Sequence, residues 1–125
     1  MTYSVLIVDD SAITRGVLKK SLSLADIGIS EVLEAANGKE ALELLEESKV
    51  DLIILDINMP VMDGLEFAKR LKSSPELADI PALTMSSDGS KQRKSELMDC
   101  GIKGYLRKPT TPEKLKEIIA PLIGE

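Results

Sequence analysis

Residues 52–56 read LIILD: four branched aliphatic side chains in a row, then a carboxylate. A strand with one wet face alternates apolar and polar positions. An unbroken apolar run is what a strand covered on both faces requires, and such strands belong to parallel sheets flanked by helices. Upstream, SVLIV (residues 4–8) has the same character and runs into Asp9 and Asp10. Between and beyond these runs the chain alternates short apolar segments with longer amphipathic ones. EVLEA (31–35) reads as a second strand, residues 81–85 as a fourth and GYLRK (104–108) as a fifth.

The intervening segments carry helical signals. SAITRGVLKKSLSLA places Ile13, Val17, Leu18, Leu22 and Leu24 roughly on one helical face. NGKEALELLEES points Ala41, Leu42, Leu44 and Leu45 inward, and MDGLEFAKRLKSS stops before Pro75. A helix is predicted from about Lys91 to Gly101, with Cys100 as a buried thiol near its end. In TTPEKLKEIIAPLIG, Pro112 suits the first turn after a Thr cap, and Pro121 is expected to bend or end the helix.

Five βα units predict an α/β fold, a doubly wound five-stranded parallel sheet in a single domain over 1–125. The chain is 43 % apolar and 30 % charged, with only Tyr3, Phe67 and Tyr105 aromatic, so its core is aliphatic. Net charge is −5, and residues 1–63 carry 5 Lys/Arg against 12 Asp/Glu while residues 64–125 carry 11 against 9. An acidic chain without an aromatic platform is a poor nucleic-acid binder. There is no histidine, which excludes His-ligated zinc and His-based triads, and one cysteine, which excludes an internal disulfide. The N-terminus has no basic region, and its apolar run spans only Val5–Val8. It reads as neither signal peptide nor membrane span, and a cytoplasmic location is expected.

Parallel α/β sheets bind ligands beyond the carboxyl ends of their strands. There the first strand offers Asp9 and Asp10, the third Asp56, the fourth Ser86 and Ser87, and the fifth Lys108. Two carboxylates about 4 Å apart repel by roughly 4 kcal/mol at an effective dielectric of about 20. Three together call for a counter-ion, and a hard divalent cation such as Mg²⁺, with carboxylate, water and phosphate oxygens around it, answers that need. Two adjacent aspartates cannot point the same way in extended chain, so a turn is expected there. Lys108 supplies a cation and Ser86 a hydroxyl for a phosphoryl group. Asp56 is placed to be a nucleophile toward phosphorus, and phosphoryl transfer needs positioning and charge neutralisation more than a general base. Each residue also has a plainer role: Asp9 and Asp10 as helix caps, Ser86 and Lys108 as turn residues, Tyr105 as a static core aromatic, KQRK (91–94) as a solvated face.

LIVDDS, LIILDINMPVMDGLE, LTMSS and GYLRKP occur in the order and spacing of a known family. From Tyr3 to Leu122 the chain resembles a response-regulator receiver domain, and among these the single-domain, CheY-like members. The resemblance implies a flavodoxin-like (βα)5 fold with strand order 2-1-3-4-5. It implies a histidine–aspartate phosphorelay switch and not an enzyme, beyond self-phosphorylation and slow autodephosphorylation. Asp56 matches the phosphoacceptor. Asp9 and Asp10 match the acid pair that holds Mg²⁺ together with Asp56, and Asn58 the residue whose backbone carbonyl ligates the same ion. Ser86 and Lys108 match the groups that contact the phosphoryl oxygens, and Tyr105 the aromatic that changes burial on activation. The implied partners are a sensor histidine kinase and an effector protein. The effector face is formed by the helix after the fourth strand, the fifth strand and the last helix. No nucleic acid, membrane or stable oligomer is expected. Chemotaxis and other phosphorelays both remain open.

Departures from the family are Ser87, beside the hydroxyl, and Thr110, after Lys108-Pro109. Asp88 and Asn58 occupy the positions that flank the path of attacking water. An aspartate-nucleophile phosphatase is a rival, but it places an acid two residues after the nucleophile, where this chain has Asn58. A flavin carrier would need a hydroxyl- or glycine-rich phosphate loop where residues 9–15 read DDSAITR. A phosphorylation-independent adaptor is a third reading, disfavoured by the complete set of acids and lysine.

Overall fold

The computed structural model of the chain describes residues 3–56, 64–86, 99, 102–107 and 111–123. The strands are β1 (Tyr3–Val8), β2 (Ile29–Ala35), β3 (Leu52–Asp56), β4 (Ala82–Ser86) and β5 (Gly104–Arg107). The described helices are α1 (Ala12–Ala25), α2 (Gly38–Glu47), α3 (Gly64–Ser73) and α4 (Pro112–Leu122). The helix expected from Lys91, with Cys100 and Gly101, lies outside the described residues.

The five strands form one sheet in the order β2-β1-β3-β4-β5, and every pairing is parallel. This is the order that the resemblance to receiver domains implies. The chain runs outward from β1 to β2, then crosses back over β1 to β3, so the order reverses beside β1. Val8 is in register with Ala35 on one side and Leu55 on the other, and Asp56 with Met85. Asp9 and Asp56 therefore emerge side by side from neighbouring strands, at the crevice where such sheets bind ligands.

Strand periodicity divides the core in two. Leu6, Val8, Ile53 and Leu55 pack on one face with Ala41, Leu45, Phe67 and Leu71 from α2 and α3. Val5, Ile7, Leu52 and Ile54 pack on the other with Leu18, Leu22, Leu115 and Ile119 from α1 and α4. Both LIILD and SVLIV thus supply side chains to two dry faces, which is why neither alternates with polar residues.

The helix starts are capped as their sequences suggest. Asn37 Oδ1 accepts from the Glu40 amide at 2.9 Å, while Glu40 Oε1 accepts from the Ala36 amide at 3.2 Å. Thr111 caps α4, and Pro112 sits in its first turn. Pro121 lies inside α4, which ends one residue later at Leu122. In α2, Ala41 and Leu45 are buried and Leu42 and Leu44 partly buried against the same core, as expected.

Helix α1 corrects one expectation. Leu18, Leu22 and Ala25 face the core, but Ile13, Val17 and Leu24 are 81 %, 63 % and 65 % exposed. At 3.6 residues per turn the latter three fall within roughly 40° of one another, on the side opposite the buried set. The helix carries two apolar stripes, and only one is used inside the domain.

Candidate phosphoacceptor and metal site

β1 delivers Asp9 to the carboxyl edge of the sheet, where the chain turns at once into α1. Asp9 is 4 % exposed and Asp56, on the last residue of β3, 9 %; Asp10 is exposed. The Asp9 amide donates to Ala35 O at 3.0 Å, so its backbone nitrogen continues the pairing with β2. Its side chain folds forward, Oδ1 accepting from the Ser11 amide at 2.9 Å. Ser11, not either aspartate, caps α1: its Oγ accepts from the Thr14 amide at 3.2 Å. The capping role considered for Asp9 and Asp10 is thus filled by the next residue.

The turn is fixed from outside as well. Arg15, one turn into α1, donates from Nη1 to the Asp9 carbonyl at 2.6 Å and from Nε to Glu34 Oε1 at 3.1 Å. β1, α1 and β2 are thereby tied together at the point where the acids emerge.

Carboxylate oxygens of Asp9, Asp10 and Asp56 all lie within 4.8 Å of one another. At that spacing each pair repels by about 3 to 4 kcal/mol at an effective dielectric of about 20, less where exposed Asp10 is involved. An octahedral Mg²⁺ with oxygens at 2.0–2.1 Å holds opposite ligands about 4.2 Å apart. The three carboxylates therefore fit a small hard cation with little adjustment, a water completing the reach where needed.

The remaining expected residues are placed unevenly. Ser86 ends β4, in register with Arg107. Tyr105 lies on β5 in register with Thr84, half-buried against the α2–α3 core. Asn58, Ser87, Asp88, Lys108 and Thr110 lie outside the described residues, as does the KQRK run. Lys114 and Lys116 are exposed on α4. Among the described residues no helix is long and apolar enough to cross a membrane.

Residues 5–120 match the family model described as the response regulator receiver domain. The chain belongs to this family. A CheY homolog of Campylobacter jejuni is 36 % identical over 120 residues, covering 95 % of this chain and 91 % of that protein. CheY1 of Helicobacter pylori is equally similar, with 95 % of each chain covered. The crystallised chemotaxis protein CheY4 of Vibrio cholerae superposes with a TM-score of 0.87 at 35 % identity, over 98 % of this chain and 99 % of that one. This receiver domain is thus of the CheY-like kind, the class of phosphoacceptor signalling modules.

Two features of the receiver domain escaped the reading of its sequence. Arg15 and Glu34 sit 19 residues apart and meet only because β2 lies beside β1. Thr84 is fully buried, with no partner for its Oγ1 among the described residues. The run LTMSS hints at this, since a hydroxyl inside a buried strand needs a partner.

Proposed function

We propose that Asp56 of this receiver domain accepts a phosphoryl group, with Mg²⁺ held by Asp9, Asp10 and Asp56, and that the modification changes how a partner protein is bound. The convergence of the Asp9, Asp10 and Asp56 carboxylates within 4.8 Å at the switch point of the sheet carries this reading. The proposed transfer is balanced simply. An Asp56 oxygen forms a bond to phosphorus as the bond from phosphorus to the donor's leaving atom breaks, and the leaving group keeps that electron pair. The metal, when bound, offsets the negative charge of the carboxylates and of the incoming phosphoryl group. Asp9 and Asp10 orient its coordination, and the bonds around Asp9 hold both acids in place. By resemblance, the Asn58 carbonyl completes the ligand set, and Lys108 and Ser86 contact the phosphoryl oxygens.

The domain accepts one group and hydrolyses it slowly, so it acts as a switch in the cytoplasm and not as a turnover enzyme. A histidine kinase is the donor. The effector binds the face formed by the segment after β4, β5 and α4, whose sequence carries Lys91, Arg93, Lys94, Tyr105, Lys114 and Lys116 and so favours an acidic partner. Movement of Ser86 toward the phosphoryl group opens space into which Tyr105 turns. Intact-mass measurement after incubation with acetyl phosphate and Mg²⁺ tests the core of this. Wild type is expected to gain one phosphoryl group, labile to hydroxylamine, and Asp56→Asn none. Equal modification of both proteins refutes the assignment.

A further inference from the structure

The side chain of Thr84 is 0 % exposed, and its Oγ1 has no hydrogen-bond partner among the described residues. Buried polar side chains nearly always have one. Packing alone does not ask for the oxygen, because valine has the same branched shape and is as welcome in strands. Thr84 lies on β4, between the strand that carries Asp56 and the strand that carries Tyr105. Its neighbours Leu83 and Met85 pack on the α1–α4 side of the sheet and Ala82 on the α2–α3 side, so alternation turns Thr84 to the α2–α3 side. Tyr105, its register partner on β5, packs on that same side and is only half-buried. Neighbouring strands lie about 4.8 Å apart, less than the length of a tyrosine side chain. A phenol leaning across β4 therefore reaches the hydroxyl of its register partner. On the opposite face β5 lies close on α4: a Cβ at Gly104 would stand 2.8 Å from Ile118 Cδ1. The strand is seated from that side, so a change at Tyr105 is a rotation of its side chain.

We infer that Thr84 is a positioning residue of the switch: its hydroxyl is unpaired in the resting domain and hydrogen-bonds the Tyr105 hydroxyl once that side chain turns inward. This rests on the reading of Asp56 as phosphoacceptor and of Tyr105 as the residue that turns. A ligand shifts an equilibrium only through differences between the two states, and Thr84 supplies one. The unpaired hydroxyl raises the free energy of the resting state, and the bond lowers that of the switched state. Both act in the same direction, so the phosphoryl group has less to overcome. Removing the oxygen stabilises the resting fold and makes switching harder, a pairing of effects that a residue serving only to fill the core does not produce.

The test uses beryllofluoride with Mg²⁺ as the phosphoryl mimic and reads its affinity by titration of backbone amide resonances. Thr84→Val is expected to weaken mimic binding about fivefold. The same variant should raise the urea midpoint of the mimic-free protein and leave Mg²⁺ affinity within about twofold of wild type. Thr84→Ser, which keeps the oxygen, is expected to hold wild-type mimic affinity within about twofold. In a Tyr105→Phe background, which lacks the phenol oxygen, Thr84→Val is expected to change mimic affinity by less than about twofold. Unchanged mimic affinity in Thr84→Val overturns the inference. So does an equal fall in the Tyr105→Phe background, which would place the effect elsewhere than at Tyr105. A lower urea midpoint in mimic-free Thr84→Val also overturns it, because the hydroxyl would then have a partner in the resting state already. If wild type binds no beryllofluoride, the Asp56 reading itself fails and the inference falls with it.

Discussion

The guanidinium of Arg15 and the backbone carbonyl of Asp9 meet at 2.6 Å, with Glu34 holding the other side of the same guanidinium at 3.1 Å. The Arg15 side chain is only 16 % exposed, so this charge-assisted bond is not an ornament of the surface. It sets the direction of the peptide between the two aspartates, and hence where Asp10 is presented. Arg15→Met is expected to lower stability by about 1–2 kcal/mol and to weaken Mg²⁺ binding several-fold. Glu34 already offsets the arginine charge, so lost geometry outweighs any electrostatic gain for the cation. Arg15→Lys, which keeps the charge without the fork, should not restore binding. Urea unfolding and a Mg²⁺ titration followed by the Ser11 amide resonance measure both; wild-type affinity in Arg15→Met would show that the turn holds itself.

Removing one acid from the cluster should have opposite effects with and without metal. Asp10→Ala is expected to bind Mg²⁺ at least tenfold more weakly, while its metal-free form gains up to about 1 kcal/mol from relieved repulsion. Calorimetric titration and thermal melts in EDTA provide the two readings. A metal-free variant less stable than wild type would mean that the carboxylates are not repelling one another as their spacing implies.

Thr84 offers a test of packing at β4. Its hydroxyl is buried with no partner among the described residues, and a hydroxyl left unpaired costs about 1–3 kcal/mol of desolvation. Thr84→Val keeps the branched shape and removes the orphan oxygen, so a gain of about 1 kcal/mol is expected. The urea midpoint should rise with no change in slope. A loss of stability instead would reveal a partner for the hydroxyl in solution, such as a bound water.

Tyr105 stands in register with Thr84 and is half-buried, and the proposed switch has it change its burial. Tyr105→Ala is expected to leave the rate of acetyl phosphate labelling nearly intact. It should also shrink the change in amide shifts that a beryllofluoride mimic produces on β5 and α4. If the mimic moves no resonance outside the acid cluster in wild type, Tyr105 is a static core residue.

Much of this fold was legible because a strand dry on both faces leaves a run such as LIILD or SVLIV, and parallel order follows from the helices between the runs. The acids were legible too, since each sits directly after such a run, and strands of a parallel sheet all end at one edge. Ser11, Asn37 and Thr111 act as caps through neighbours three residues away, a distance local sequence can encode. The resemblance to receiver domains then assigned roles that spacing alone left open.

Tertiary structure decided what depends on neighbours remote in sequence. The periodicity of α1 fits two apolar stripes, and only the position of α4 and the sheet selects Leu18, Leu22 and Ala25 for the core and leaves Ile13, Val17 and Leu24 outside. The adjacent letters Asp9 and Asp10 look alike, yet one is buried and one exposed, because the chain turns between them. Arg15 reaches Glu34 only once β2 lies beside β1. Local sequence specifies a residue's preferred conformation, but which of two acceptable surfaces becomes interior is a property of the whole packed chain.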